Sequence, residues 1–141
     1  GGDDPEMRAP MRWDWVRDDN AALAWTRKLI EMRKQHRALR VGNFRLLGTD
    51  KLFAFERYTD RIADSVFVLA NPGRTELTEI VLLPNSKLMN GAPMVNLLDR
   101  NAKPLAIMTS LLKVTVPAGG MLVLKPDVAA VDGYTPYKRV Q

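Results

Sequence analysis

The sequence predicts a mainly β fold, an antiparallel sandwich of seven or eight strands preceded by one long α-helix. Three observations carry this. One stretch, residues 18–39, repeats apolar side chains at spacings of three and four. Beyond Gly42 the pattern changes to short runs of β-forming residues cut by turn residues. No helix-length segment separates those runs, and a parallel sheet needs such crossovers.

Taken in order, residues 1–17 are polar and aromatic, with Pro5, Pro10, Trp13 and Trp15, and have no period; they read as loop. The helix follows, with Asp18, Asp19 and Asn20 as candidate caps and Ala22, Trp25, Leu29, Met32 and His36 along one face. Arg27, Lys28, Arg33, Lys34 and Arg37 crowd its second half, where cations complement the C-terminal dipole. Strands are expected at 44–47, 52–58, 65–71, 76–83, 94–98, 111–116 and 121–124, with a further short one at 105–108. Asn71-Pro72-Gly73, Asn90-Gly91 and Pro117-Ala118-Gly119-Gly120 are among the turns between them. One open sheet of so many strands would leave a face and two edges uncovered, so two packed sheets are expected. Residues 127–141, with Gly133, Pro136 and no period, read as a tail draped on the body.

With 141 residues, 46% of them hydrophobic, the chain is one ordinary domain or slightly more and can fold without metal or disulfides. It has no cysteine, which excludes thiolate metal sites and thiol nucleophiles. The net charge of +5 invites a nucleic-acid reading, but basic and acidic residues are interspersed and no basic stripe carries aromatics. Neither nucleic acid nor a membrane is an expected partner, since no run approaches the ~18 apolar residues of a span. The chain reads as soluble, with its compartment left open. Its start at Gly1-Gly2-Asp3-Asp4 reads as a cut within a longer polypeptide.

Catalysis by paired carboxylates needs acids held across a cleft. The acids here fall mostly in turns or beside basic residues: Asp14, Asp18 and Asp19 read as a helix start, while Glu56, Glu76 and Glu79 are expected to face water. His36 stands alone, without cysteine or a carboxylate at ligand spacing, and reads as structural; no metal and no cofactor are expected. Ser65, Ser86 and Ser110 lack a nucleophile-elbow context, and Gly119-Gly120 leads into a strand rather than a phosphate-binding helix. The opening GGDDPEMRAPMRW differs, because it concentrates Asp, Arg and Trp in a proline-stiffened loop and reads as part of a site.

That run resembles the loop after the seventh barrel strand of the alpha-amylase family, glycoside hydrolase family 13, where Gly-Gly-x-Asp-Pro-x-x-Arg-x-x-Met-x-Trp is typical. ALAWTRKLIEMRKQHRALRVGNFRLL is similar to the last barrel helix and the His-x-Ala-Leu-Arg-x-Gly turn after it, and KLFAFERYTDRIADSVFVLANPG to an early hairpin of the closing domain. The GGDDP form with arginine following places the resemblance nearest the cyclomaltodextrinase, neopullulanase and maltogenic amylase group.

The resemblance implies that residues 1–40 end a (β/α)8 barrel, with a substrate-side loop at 1–17 and the last helix at 18–39. Residues 41–126 would form an eight-stranded Greek-key sandwich, domain C, and 127–141 a tail. It further implies a parent that cleaves or transfers α-glucosidic bonds with retention, using an aspartate nucleophile and a glutamate acid/base that lie N-terminal to Gly1. No catalytic residue is therefore expected in this chain, which alone should be inactive. In the intact parent, Asp4 and Arg8 match the motif positions that contact glucose hydroxyls, while Trp13 and Trp15 are expected to pack under the loop.

Two functions compete. The first is a non-catalytic closing domain whose partners are the parent's barrel and, through the parent, an α-glucan or maltooligosaccharide. The second is a free-standing carbohydrate-binding sandwich, which would show two or three aromatics on one solvent face; alternation is expected to bury most of Phe44, Phe53, Phe55, Tyr58 and Phe67. The helix stripe Ala22, Trp25, Leu29 and Met32 should be buried largely by another chain or by a second copy.

Overall fold

The computed structural model describes residues 10–133. The chain divides into two compact units, Gly1–Gln35 and His36–Gln141.

In the first unit a single 3-10 turn, Trp13–Trp15, precedes helix α1, Ala21–Gln35. Asn20 caps α1: its Oδ1 accepts the N–H of Leu23 at 3.1 Å, and its Nδ2 donates back to the Trp15 carbonyl at 2.9 Å. Arg33 and Lys34 occupy the last turn. Of the stripe, only Met32 is buried; Leu29 is half-buried, Ala22 is exposed and Trp25 is 43% exposed.

The helix expected to run unbroken over 18–39 does not. It ends at Gln35, His36 takes an extended conformation (φ −112°, ψ 112°), and a second helix α2, Arg37–Val41, begins there. The extended residue redirects the chain so that Ala38 becomes wholly buried and α2 meets the β2 strand. Gly42 then lies so close that a Cβ would stand 2.5 Å from the Ala38 carbonyl oxygen and 2.8 Å from that of Tyr58.

Eight strands follow: β1 Asn43–Leu46, β2 Phe53–Tyr58, β3 Val66–Ala70, β4 Leu77–Leu82, β5 Pro93–Asn96, β6 Leu105–Ala106, β7 Leu111–Val116 and β8 Met121–Pro126. All pairings among the described residues are antiparallel. One sheet has the order β1-β2-β3-β8-β5-β6, and the other is the pair β4-β7. An isolated bridge from Met108 to Leu111 links the end of β6 to β7, and β8 then returns beside β5, which is a Greek key.

The core lies between the sheets and follows the two-residue period. β7 alternates exposed and buried, sending Leu112, Val114 and Val116 inward. Ala54, Phe67, Leu69, Val81, Met94 and Leu124 meet them from the other strands. In β3, Val66, Phe67, Val68 and Leu69 are all buried, as in a strand covered on both faces. Asn71 pins the turn after β3, its Nδ2 donating to the carbonyls of Thr75 at 2.8 Å and Val116 at 3.0 Å. Of the expected tail, Val128 and Val131 pack on the core.

Candidate functional site

Asp4 and Arg8, the substrate-contacting positions implied by the resemblance, lie outside the described residues. Trp13 and Trp15 are 74% and 56% exposed, so the packing expected for them is not made among the described residues; Arg12 lies over the Trp15 ring at 4.7 Å. His36 is half-buried, and burial first, then the charges of Lys125 and Arg100, hold its imidazole below its usual range, consistent with a neutral structural group.

Two features of the sandwich merit a functional reading. The first is the outer face of the large sheet. The register pairs Phe44 with Arg57 and Leu46 with Phe55 on β1 and β2, and Phe53, Phe55 and Arg57 with Ala70, Val68 and Val66 on β3. Because paired residues share a face, Phe44, Leu46, Phe53 and Phe55 form one apolar surface, which runs into the buried Val66 and Val68. Phe44 and Phe53 are each 54% exposed, with ring centres 5.2 and 5.7 Å from that of Phe55. Alternation was expected to bury most of these aromatics. It buries Phe67 only, because β1 and β2 turn Phe44, Phe53 and Phe55 away from the core and send Ala54 and Glu56 inward, with Tyr58 half-buried on that second face. Arg57 crosses the end of this face and donates from Nη2 to the Gly42 carbonyl at 2.7 Å.

The second feature is a polar cleft of about 400 Å³ on the opposite side of β1 and β2, where Asn43 pairs with Tyr58 and Arg45 with Glu56. The loop carrying Asn85, Ser86 and Lys87 walls these positions. The Arg45 guanidinium lies over the Tyr58 ring at 4.6 Å. Behind it stands Glu56, expected in water but found with no solvent exposure, its Oε2 at 3.6 Å from Arg45 Nη1. Its Oε1 accepts a hydrogen bond from Asn85 Nδ2 at 2.8 Å, and Asn85 also reaches the buried Ser65 hydroxyl at 3.3 Å. Burial pushes the Glu56 carboxyl up, and the bonds from Asn85 and Ser65 with the charge of Arg45 oppose this only in part. Neither the buried carboxyl nor the cleft was legible in the sequence, because Glu56 occupies an inward position that only the register reveals.

Glu79, also expected in water, reaches across instead. Its carboxylate accepts the backbone N–H groups of Asp50, Lys51 and Leu52 at 3.0, 2.9 and 3.1 Å, closing the β1–β2 turn.

No family model matches the chain. A cyclomaltodextrinase from a Bacillus species is 35% identical over 74 residues, covering 50% of this chain and 13% of that enzyme. The solved alpha-amylase of Geobacillus thermoleovorans, complexed with acarbose, matches with a TM-score of 0.70 at 20% identity, over 89% of this chain and 26% of that one. A solved cyclomaltodextrinase matches with a TM-score of 0.64 at 25% identity, over 90% of this chain and 21% of that one. The chain thus spans about an eighth to a quarter of the relatives it matches. Sequence likeness to cyclomaltodextrinases over half the chain and a shared fold over most of it support a C-terminal domain of the alpha-amylase family, glycoside hydrolase family 13.

Proposed function

We propose that the chain is the non-catalytic closing part of an α-glucan-acting hydrolase or transglycosylase of the cyclomaltodextrinase kind, and that its sandwich docks on the catalytic body of the same polypeptide. In this reading residues 1–40 complete the barrel, 41–126 form the closing sandwich and 127–141 the tail. The observation that carries it is the outer face of the large sheet, where Phe44, Leu46 and Phe53 stay exposed beside the buried Val66 and Val68. A patch of this kind marks a protein contact. Each large side chain there is worth roughly 1.5–3 kcal/mol on burial. The occupant follows from length, since most of each matched relative lies outside what this chain covers.

Catalysis by this chain alone is not supported. The carboxyl that burial shifts upward, Glu56, has no solvent exposure and cannot meet a glucan. In the intact enzyme Asp4 and Arg8 would hold glucose hydroxyls, a carboxylate accepting them and a guanidinium donating a planar pair of bonds.

The test has two arms. The chain alone, assayed on starch, cyclodextrin and a chromogenic maltoside, should show no turnover; turnover abolished by substituting one of its acids would overturn the reading. In the intact enzyme, Phe44→Asp with Phe53→Asp should lower the melting temperature of the catalytic body by several degrees, and an unchanged melting curve would remove the docking face.

The second reading, a carbohydrate-binding sandwich, gains from the same surface, because Phe44, Phe53 and Phe55 do share one solvent face. Two details favour docking. The rings are tilted at 32° and 55° to one another rather than forming a flat platform, and their neighbours Leu46, Val66 and Val68 offer no hydrogen bonds to hydroxyls. Titration with maltoheptaose separates the two, since only the second reading expects saturable shifts at these rings.

A further inference from the structure

We propose that the polar cleft behind β1 and β2 is an oxyanion-binding site, taking a small ligand through a carboxylate or phosphate group. This reading is independent of the docking face, which lies on the other side of the sheet.

The cleft is rich in donors. Arg45 and Lys87 bring cationic N–H groups, and Asn43, Asn85 and Ser86 add neutral ones. The carboxylate on its lining, Asp60, pairs through Oδ1 with Arg37 Nη1 at 3.3 Å, a nitrogen that also reaches Asp64 at 3.2 Å, so its charge is partly offset. Lys87 donates to the Asp60 backbone carbonyl at 2.6 Å, which leaves two of its three protons for a ligand.

Arg45 is held in place for such a ligand. Its plane rests on Tyr58 at 4.6 Å, and the sealed Glu56 carboxyl stands behind it at 3.6 Å from Nη1. Among the described residues Glu56 Oε2 has no hydrogen-bond partner, and Glu56 has no solvent exposure. A buried polar atom left so costs stability and calls for a structural reason. Here it fixes the guanidinium, whose remaining N–H groups are free to form the forked pair that carboxylates and phosphates accept. The same stacking argues against a neutral sugar, because the guanidinium covers the Tyr58 face on which a pyranose would lie.

The experiment uses the 141-residue chain and amide spectra recorded during titration with inorganic phosphate, with malonate and with maltose, each against sodium chloride of equal ionic strength. Phosphate or malonate should give saturable shifts at residues 43–45, 58–60 and 84–87, and which of the two binds more tightly identifies the source of the oxyanion. Lys87→Gln, on an accessible loop, should weaken that binding about tenfold, and Arg45→Gln by at least as much. Absence of saturable shifts with both anions would overturn the proposal. So would binding unchanged in Lys87→Gln and Arg45→Gln, or saturable shifts produced by maltose and not by the anions.

Discussion

Asn85 Nδ2 donates to Glu56 Oε1 at 2.8 Å and so ties the loop after β4 to a carboxyl that water does not reach. Burial raises this group above the ordinary carboxylate range, more than Asn85, Arg45 and Ser65 lower it. The folded state then binds more protons than the unfolded state between the two values, so the contribution of Glu56 is present in acid and is lost as pH rises through the folded value.

Glu56→Gln should therefore flatten the fall in stability as pH rises through the folded value of Glu56, with a gain of about 1 kcal/mol above it. Arg45→Ala should instead cost about 1–3 kcal/mol at neutral pH, because it strips the cation facing a buried carboxylate, and less in acid. Urea denaturation of the three proteins at several pH values measures both effects, and parallel pH profiles would show that the carboxyl does not titrate in this range.

Glu79 should behave in the opposite sense. Partial burial pushes its carboxyl up, but the N–H groups of Lys51, Asp50 and Leu52 and the charge of Lys51 outweigh it and hold the group below its usual range. A depressed folded value gives stability that is present above the unfolded value and lost as pH falls through the folded one. Glu79→Gln is expected to lose about 1 kcal/mol at neutral pH, a small figure because the site is partly solvated. The deficit should vanish in strong acid, which the same denaturation series reads directly.

Two glycines make a paired test of close packing. Gly42→Ala should cost about 1–3 kcal/mol, since the new Cβ meets backbone oxygens of Ala38 and Tyr58 that cannot swing aside. At Gly48 an added Cβ meets nothing within 4 Å, so Gly48→Ala is expected to be neutral or to stabilise by about 0.5 kcal/mol. Equal melting temperatures for the two variants would contradict the approach of α2 to β2.

The turn between β6 and β7 carries strain that can be removed. Thr109 and Ser110 both have positive φ, 52° and 63°, inside a two-residue hairpin closed by the Met108–Leu111 bridge. Such turns favour Asn-Gly. Thr109→Asn with Ser110→Gly should raise stability by about 1 kcal/mol, and the backbone bond from Thr109 N–H to Asn90 Oδ1 remains available. Thermal unfolding of the double variant checks this, and a lower melting temperature would count against the turn geometry.

Helix α1 makes the last expectation. Trp25 is 43% exposed and Leu29, one turn on along the same face, is half-buried, so the chain alone should self-associate through α1 as its concentration rises. Trp25→Glu with Leu29→Glu should leave it monomeric by sedimentation. A monomer at all concentrations before substitution would show that this face needs no second copy.

The secondary-structure elements were legible in the local pattern of residues. Periods of three and four marked α1, and the change to runs of β-formers placed all eight strands within a residue or two, because local propensity and turn chemistry act over a few neighbours. The Asn20 cap and the antiparallel sandwich were legible for the same reason. The quoted motifs carried the family. Which face each strand turns inward was set by contacts between strands. A strand with aromatics at 53 and 55 and a glutamate at 56 reads as aromatics in and acid out, but pairing with β1 and β3 sets the reverse. A one-residue change of register exchanges the two faces of a strand, and nothing within a single strand's sequence encodes that choice. The buried Glu56, the exposed Phe44 and Phe53, the reach of Glu79 and the break at His36 all follow from contacts between residues distant in the chain or from the packing of Ala38 and Gly42, and no local period contains them.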